Sequence, residues 1–275
     1  MQISAPMPHV DTPSITSLTD LKAALVLPTW IETVQDQARW LPNLVQSLAW
    51  ETHLSEHFVL HLHVEAPKGR HLLFDNFLAE SEEIYAQLVT FFELKAHSKI
   101  DELIEQGRLT YFIVQTQSLR TFGGLTDPHL LFYLCDLQND PEFMTRIRHE
   151  LAHWTWSRRF GEAARLFQEG VAVYAELMSA PSSTSAAFLR ETPFSRKTLM
   201  PLRQLVVNEN FWNYDDAYRV AGRWVAFLVG QWGWTPLKEL FLRTDYEDAS
   251  VLEHFQQIYG EPIEAVEQEW LQSIG

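Results

Sequence analysis

The chain has 275 residues, 46% of them hydrophobic, with 10 Trp and 17 Phe. That is enough for one large domain or two small ones around a substantial core, and it is not the composition of a disordered chain. Asp plus Glu number 36 against 21 Lys plus Arg, and the formal net charge of −15 disfavours nucleic acid and anionic membranes as partners.

Cys135 is the single cysteine, so no intrachain disulfide framework exists and a reducing compartment is the default. The opening Met1-Gln2-Ile3-Ser4-Ala5-Pro6 has neither a basic nor an apolar signal-peptide region. No run approaches the ~20 apolar residues of a membrane span. The expectation is a soluble, cytoplasmic protein.

Residues 1–17 carry Pro6, Pro8 and Pro13 and read as an extended arm. Residues 18–50, broken by Pro28 and Pro42, read as short helices, so 1–50 is expected to be an N-terminal leader on a main domain at 51–275. Residues 57–64 alternate, with Phe58, Leu60, Leu62 and Val64 on one face of a strand ended by Pro67-Lys68-Gly69. His57, His61 and His63 share the other face, as a solvated polar row or a second metal site. Over 75–94 the spacing becomes helical, with Phe77, Ile84, Leu88 and Phe91 on one stripe and Glu80, Glu82 and Glu83 outside. Strands are expected at 109–115 and 129–135, with a turn at Gly123-Gly124; Cys135 on its apolar strand reads as buried and inert.

The second half reads as helical. Asp140-Pro141-Glu142 combines an N-cap side chain, a first-turn proline and an acid at the positive dipole end. That helix is expected to reach Arg158-Arg159 and stop near Gly161. A second follows at 164–178, then a flexible loop at 179–187. Further helices are expected at 214–231, 236–243 (Thr235 cap, Pro236 first turn), 249–258 (Gly260 stop) and 262–273.

The first of these helices contains His149-Glu150-Leu151-Ala152-His153, an HExxH motif. Residues i and i+4 project from one helix face with β-carbons ~5–6 Å apart, so two imidazoles can share a metal. The residue at i+1 sits beside the metal, where a carboxylate can take a proton from water. His149 and His153 therefore read as zinc ligands and Glu150 as general base. A catalytic zinc takes a third protein ligand and keeps an open position. Glu169 fits, because the fifteen residues after His153 suit a helix end, a turn at Gly161 and a second helix packed beside the first. Gly170 then lets those helices approach closely. The alternative, two ordinary half-buried histidines, leaves a carboxylate aimed at the same spot without a counter-charge.

The stretch Phe167-Gln168-Glu169-Gly170-Val171-Ala172-Val173-Tyr174-Ala175-Glu176 resembles the W-L-x-E-G-x-A-x-Y-x-E segment of gluzincin peptidases of the peptidase MA-like group, relatives of thermolysin and aminopeptidase N. Tyr218 through Gly233 is similar to that group's Y-x-x-(A/G)-G-S-F-V-x-F-L-x-x-x-Y-G helix, and Phe255 through Trp270 to its usual ending. The likeness covers roughly residues 55–275. It implies one zinc per chain, a zincin-like fold and hydrolysis of peptide bonds. A tyrosine or histidine from a later helix commonly steadies the oxyanion in such enzymes. The matching position is Tyr218, with Tyr214 one turn earlier in reserve; a core aromatic in register with Val225 and Trp232 is the other reading of Tyr218.

Arg223 replaces the group's small Ser, and either binds a substrate carboxylate or pairs with Asp215 or Asp216. Val173, four residues after Glu169, supplies no acidic partner for the ligands. In this group an edge strand beside the zinc helix binds substrate backbone by strand addition. The segment from Gly123-Gly124 to Asp136 is the candidate, a plain sheet strand being the alternative. No Gly-x-Met-Glu-Asn-like exopeptidase motif, phosphate loop, or Ser or Cys nucleophile signature is present.

The expected fold is α+β: a small mixed β-sheet with a backing helix, then a mainly helical C-terminal half carrying the HExxH helix. The expected function is zinc-dependent peptide-bond hydrolysis on a peptide or protein substrate. A zinc-stabilised interaction protein without turnover and a hydrolase of a non-peptide amide are the alternatives. Oligomeric state and substrate have no signal in the sequence.

Overall fold

The computed structural model describes residues 51–64, 76–94, 109–115, 122–127, 130–135, 143–179 and 199–274. The expected arm and short helices at 1–50, the stop at Pro67-Lys68-Gly69, the helix start at Asp140-Pro141-Glu142 and the loop at 180–187 lie outside these residues. So do the side chains of His61, His63 and Cys135.

The sheet has five strands: β1 (Glu51–Leu54), β2 (Phe58–Val64), β3 (Leu109–Gln115), β4 (Phe122–Asp127) and β5 (Leu130–Cys135), in the order β1-β2-β3-β5-β4. β1 pairs antiparallel with β2, β2 and β5 flank β3 in parallel, and β4 closes the sheet antiparallel to β5. The sheet is therefore mixed. Every residue of β1 is exposed, so it shows none of the apolar alternation that marks β2. Gly123-Gly124 is not a turn. Both glycines lie inside β4, where the pairing register slips between Phe122 and Leu125, and glycine inside a strand commonly marks such a bulge.

Helix α1 (Phe77–Phe91) joins β2 to the parallel β3 and packs on β2. Its stripe buries Phe77, Ile84 and Leu88. Glu82 is not on the outer face. It accepts Ser55 Oγ at 2.6 Å and the His57 backbone N–H at 2.8 Å, with His57 Nδ1 at 2.6 Å. These bonds fasten the β1–β2 turn to α1.

The C-terminal half consists of α2 (Phe143–Phe160), α3 (Arg165–Ser179), α4 (Leu202–Leu205), α5 (Asn208–Trp212), α6 (Ala217–Trp232), α7 (Trp234–Arg243), α8 (Val251–Tyr259) and α9 (Ile263–Ser273). The fold is α+β. The one-turn helices α4 and α5 are too short for periodicity to reveal. Glu267 of α9 reaches α4 and accepts the Leu202 N–H at 3.1 Å. α6 begins at Ala217, after Tyr214, and α7 begins at Trp234, before the expected Thr235 cap; Gly233, at φ +71°, turns the chain between them.

One hydrophobic core runs from Phe58 of β2 to Trp270 of α9. Trp156 sits within about 5 Å, ring to ring, of Phe92 (5.0 Å), Phe160 (4.7 Å), Trp234 (5.1 Å) and Phe241 (5.3 Å), joining α1, α2 and α7. Among the described residues no helix is long and apolar enough to cross a membrane.

Candidate metal centre

Gly161, at φ +84°, ends α2 in the left-handed conformation that favours glycine, and its N–H donates to the Ser157 carbonyl at 2.8 Å. The short link from Gly161 to Ala164 returns the chain as α3, packed beside α2. α3 also lies close against α6. A β-carbon at Gly170 would stand 2.5 Å from Val225 Cγ2 and 2.6 Å from the Ala221 carbonyl oxygen. The close approach at Gly170 is thus to α6, not to the HExxH helix. Gly222 of α6 makes the reciprocal approach to Val173.

This packing brings the three expected ligands together. His153 Nε2 lies 3.1 Å from His149 Nε2, and Glu169 Oε2 lies 3.3 Å from His149 Nε2 and 3.2 Å from His153 Nε2. Two metal bonds of ~2.0–2.1 Å meeting at a tetrahedral angle separate their donor atoms by about 3.3 Å. The donor triangle therefore has the size that a four-coordinate divalent ion requires. Two imidazoles and one carboxylate are also the donor chemistry of such a site. The side chains are 14%, 14% and 9% exposed, so the carboxylate is buried where it needs a cation. His149, His153 and Glu169 can hold a metal ion, and no other such group occurs among the described residues.

Two further residues fix the ligands. Glu176 Oε1 accepts His149 Nδ1 at 2.8 Å, which turns Nε2 toward the centre. Arg165 Nη1 donates to Glu169 Oε1 at 3.0 Å, the oxygen that does not face the histidines. Sequence reasoning missed both roles. It sought an acid four residues after Glu169 and found Val173; the acid lies seven residues on, two turns along the same face of α3. That heptad spacing was the available signal.

The charges couple strongly. Burial alone would lower the His149 pKa, but bonds to Glu169 and Glu176 reverse this and hold it well above its ordinary value. Burial alone would raise the Glu169 pKa, and His153 and His149 instead hold it far below the carboxylate range. Without a metal, the Arg165 guanidinium and a proton on His149 serve as its counter-charge.

Glu150 belongs to the same turn of α2, and its charge reaches both His149 and Tyr218. Tyr218 is 40% exposed, with its ring 6.3 Å from that of His149, so it is not a core aromatic. Partial desolvation and then the nearby Glu169 carboxylate push its pKa up. Tyr214 is placed differently. It is hydrogen-bonded to the Met200 backbone, and the charges that reach it are Asp216 and Arg219. Arg223 is buried, and burial followed by its neighbour Arg219 lowers its pKa while Asp216 opposes this. Of the expected substrate segment, β5 is interior to the sheet, whereas β4 is an edge strand that also touches α2.

No protein-family model matches the chain, and a search of curated proteins finds no match either.

Proposed function

We propose that the chain is a zinc-dependent peptidase of zincin-like fold, hydrolysing peptide bonds. The observation that carries this reading is the donor triangle of His149, His153 and Glu169, with edges of 3.1–3.3 Å, whose two histidines flank Glu150 on α2. The resemblance to gluzincins and the edge strand β4 beside α2 support it.

Zinc bound there supplies Lewis acidity, polarising a carbonyl and making water a better nucleophile at neutral pH. Glu150 takes the proton as water adds to the amide carbon. It delivers that proton to the amine as the C–N bond breaks, and the second proton of the water passes from the new carboxyl group to the amine, leaving a carboxylate and an ammonium. Tyr218, whose raised pKa keeps its hydroxyl protonated, donates to the oxygen on which charge develops. β4, the last strand of the sheet among the described residues, can hydrogen-bond an extended substrate backbone along its outer edge.

The test combines metal analysis after zinc reconstitution with a peptide-library cleavage assay. The expected result is one zinc per chain and cleavage by the wild type. Glu150→Gln should keep its zinc and lose ~10²–10⁴-fold of the rate, the usual worth of a general base. Zinc uptake with no cleavage by either protein would point instead to a zinc-stabilised interaction protein. Absence of zinc would sink the enzyme reading at its base.

A further inference from the structure

Arg165 is the first residue of α3, the end of a helix where the dipole disfavours a cation. Its pair with Glu169 also runs in the weaker order, with the cation N-terminal to the acid at i,i+4. Helix energetics therefore do not explain an arginine here. Three other elements hold it in place. Its guanidinium carbon lies 3.9 Å from the Trp212 ring centroid and 4.8 Å from that of Tyr246, so two aromatic faces clamp the fork. Its backbone N–H donates to Asn208 Oδ1 at 3.3 Å, and Asn208 Nδ2 donates to the Tyr246 carbonyl at 3.0 Å, which ties α3, α5 and the α7–α8 link together. Its Nε is buried with no hydrogen-bond partner, so the rings and Glu169 fix the side chain.

Glu169 is divided by this clamp. Oε1 accepts Arg165 Nη1 at 3.0 Å, while Oε2 alone faces His149 and His153 at 3.3 and 3.2 Å. We infer that Arg165, clamped by Trp212 and Tyr246, is a positioning residue that holds Glu169 to a single donor oxygen and so keeps one coordination position open. This inference rests on the metal-centre reading above. A carboxylate released from Arg165 can offer both oxygens and fill the position that a catalytic site leaves for water or substrate. Lysine does not replicate the role, because an ammonium lacks the planar fork that both stacks and points one N–H along a fixed line.

Cobalt(II) reconstitution tests it, since the visible absorption of cobalt falls as coordination rises from four to five or six. The wild type should give the strong absorption of a four-coordinate ion. Arg165→Met, which removes the fork and keeps the volume, should bind cobalt with clearly weaker absorption. Arg165→Lys should resemble Arg165→Met and fail to rescue. Trp212 is 43% exposed, so Trp212→Ala removes one ring without opening the core and should give a smaller change of the same sign. It reports on the clamp even if Arg165→Met does not fold. Wild-type absorption and cobalt affinity in the folded variants would overturn the positioning role. A wild-type chain that takes up no cobalt would instead overturn the metal-centre reading beneath it.

Discussion

One stripe of α2 has two halves of opposite character. Its middle turns carry His149 and His153, and the same face continues as Trp156 and Phe160. The histidines meet the carboxylates of Glu169 and Glu176 of α3 at 2.8–3.3 Å. Trp156 meets rings of α1 and α7, is 1% exposed, and makes no use of charge. Burial stabilises the aromatic half whatever fills the centre. The polar half gains its full stabilisation when a metal or a His149 proton joins Arg165 in balancing the charge of Glu169. The aromatic half should therefore set folding stability, and the polar half metal affinity.

The largest expected effect lies in the aromatic half. Trp156→Ala should lower the unfolding free energy of the metal-free chain by ~3–5 kcal/mol, as large-to-small changes of buried Trp do. Total domain stability is roughly 5–15 kcal/mol, so denaturant unfolding should show a large shift of midpoint. A loss under about 1 kcal/mol would show that the aromatic half does not anchor the helix.

Next comes Glu176. Removing the acceptor that orients a metal-bound histidine typically weakens metal binding ~10–100-fold. Glu176→Ala should do so in chelator competition, while its metal-free unfolding midpoint moves less than that of Trp156→Ala. If the affinity is unchanged, the 2.8 Å bond to His149 Nδ1 does not orient the ring.

His149, His153 and Glu169 were legible in the sequence because metal chemistry fixes residue types, and helix geometry fixes the i,i+4 spacing. Arg165 was not, because its role depends on Trp212 and Tyr246, distant in the chain and joined to it only by tertiary packing. In the fold, β2 and the long helices followed their apolar periods. β1 did not, being exposed at every residue, and β4 was hidden by a Gly-Gly pair that elsewhere would signal a turn. The partner of Gly170 was misread for the same reason as Arg165: a glycine announces a close approach but not to what.

The pH dependence separates the halves without mutation. Folding raises the His149 pKa from 6.5, so in the metal-free chain its contribution is fully present below 6.5 and is lost as pH rises through the folded pKa. Folding lowers the Glu169 pKa from 4.5, so its contribution is fully present above 4.5 and is lost as pH falls through the folded pKa. Both act together between 4.5 and 6.5. Metal binds the neutral imidazole, so it must displace the His149 proton. Its affinity should weaken by up to about tenfold per pH unit below the folded His149 pKa, starting above 6.5. An affinity independent of pH throughout the range above 6.5 would contradict the coupling to Glu169 and Glu176.

The smallest effect is expected where the geometry looks just as good. Arg203 Nη1 lies 2.8 Å from Glu264 Oε1, the same distance that separates His149 Nδ1 from Glu176 Oε1. Arg203 and Glu264 are 60% and 45% exposed, whereas His149 and Glu176 are 14% and 25% exposed. Water and salt screen the first pair, and holding two long side chains together costs rotamer entropy. Arg203→Ala should change stability by no more than about 1 kcal/mol, less still at high salt, and leave metal affinity untouched. Equal distances with unequal consequences would show that burial beside the centre, not bond length, gives the polar half of α2 its strength. A loss at Arg203→Ala as large as that at Trp156→Ala would break the distinction between the halves.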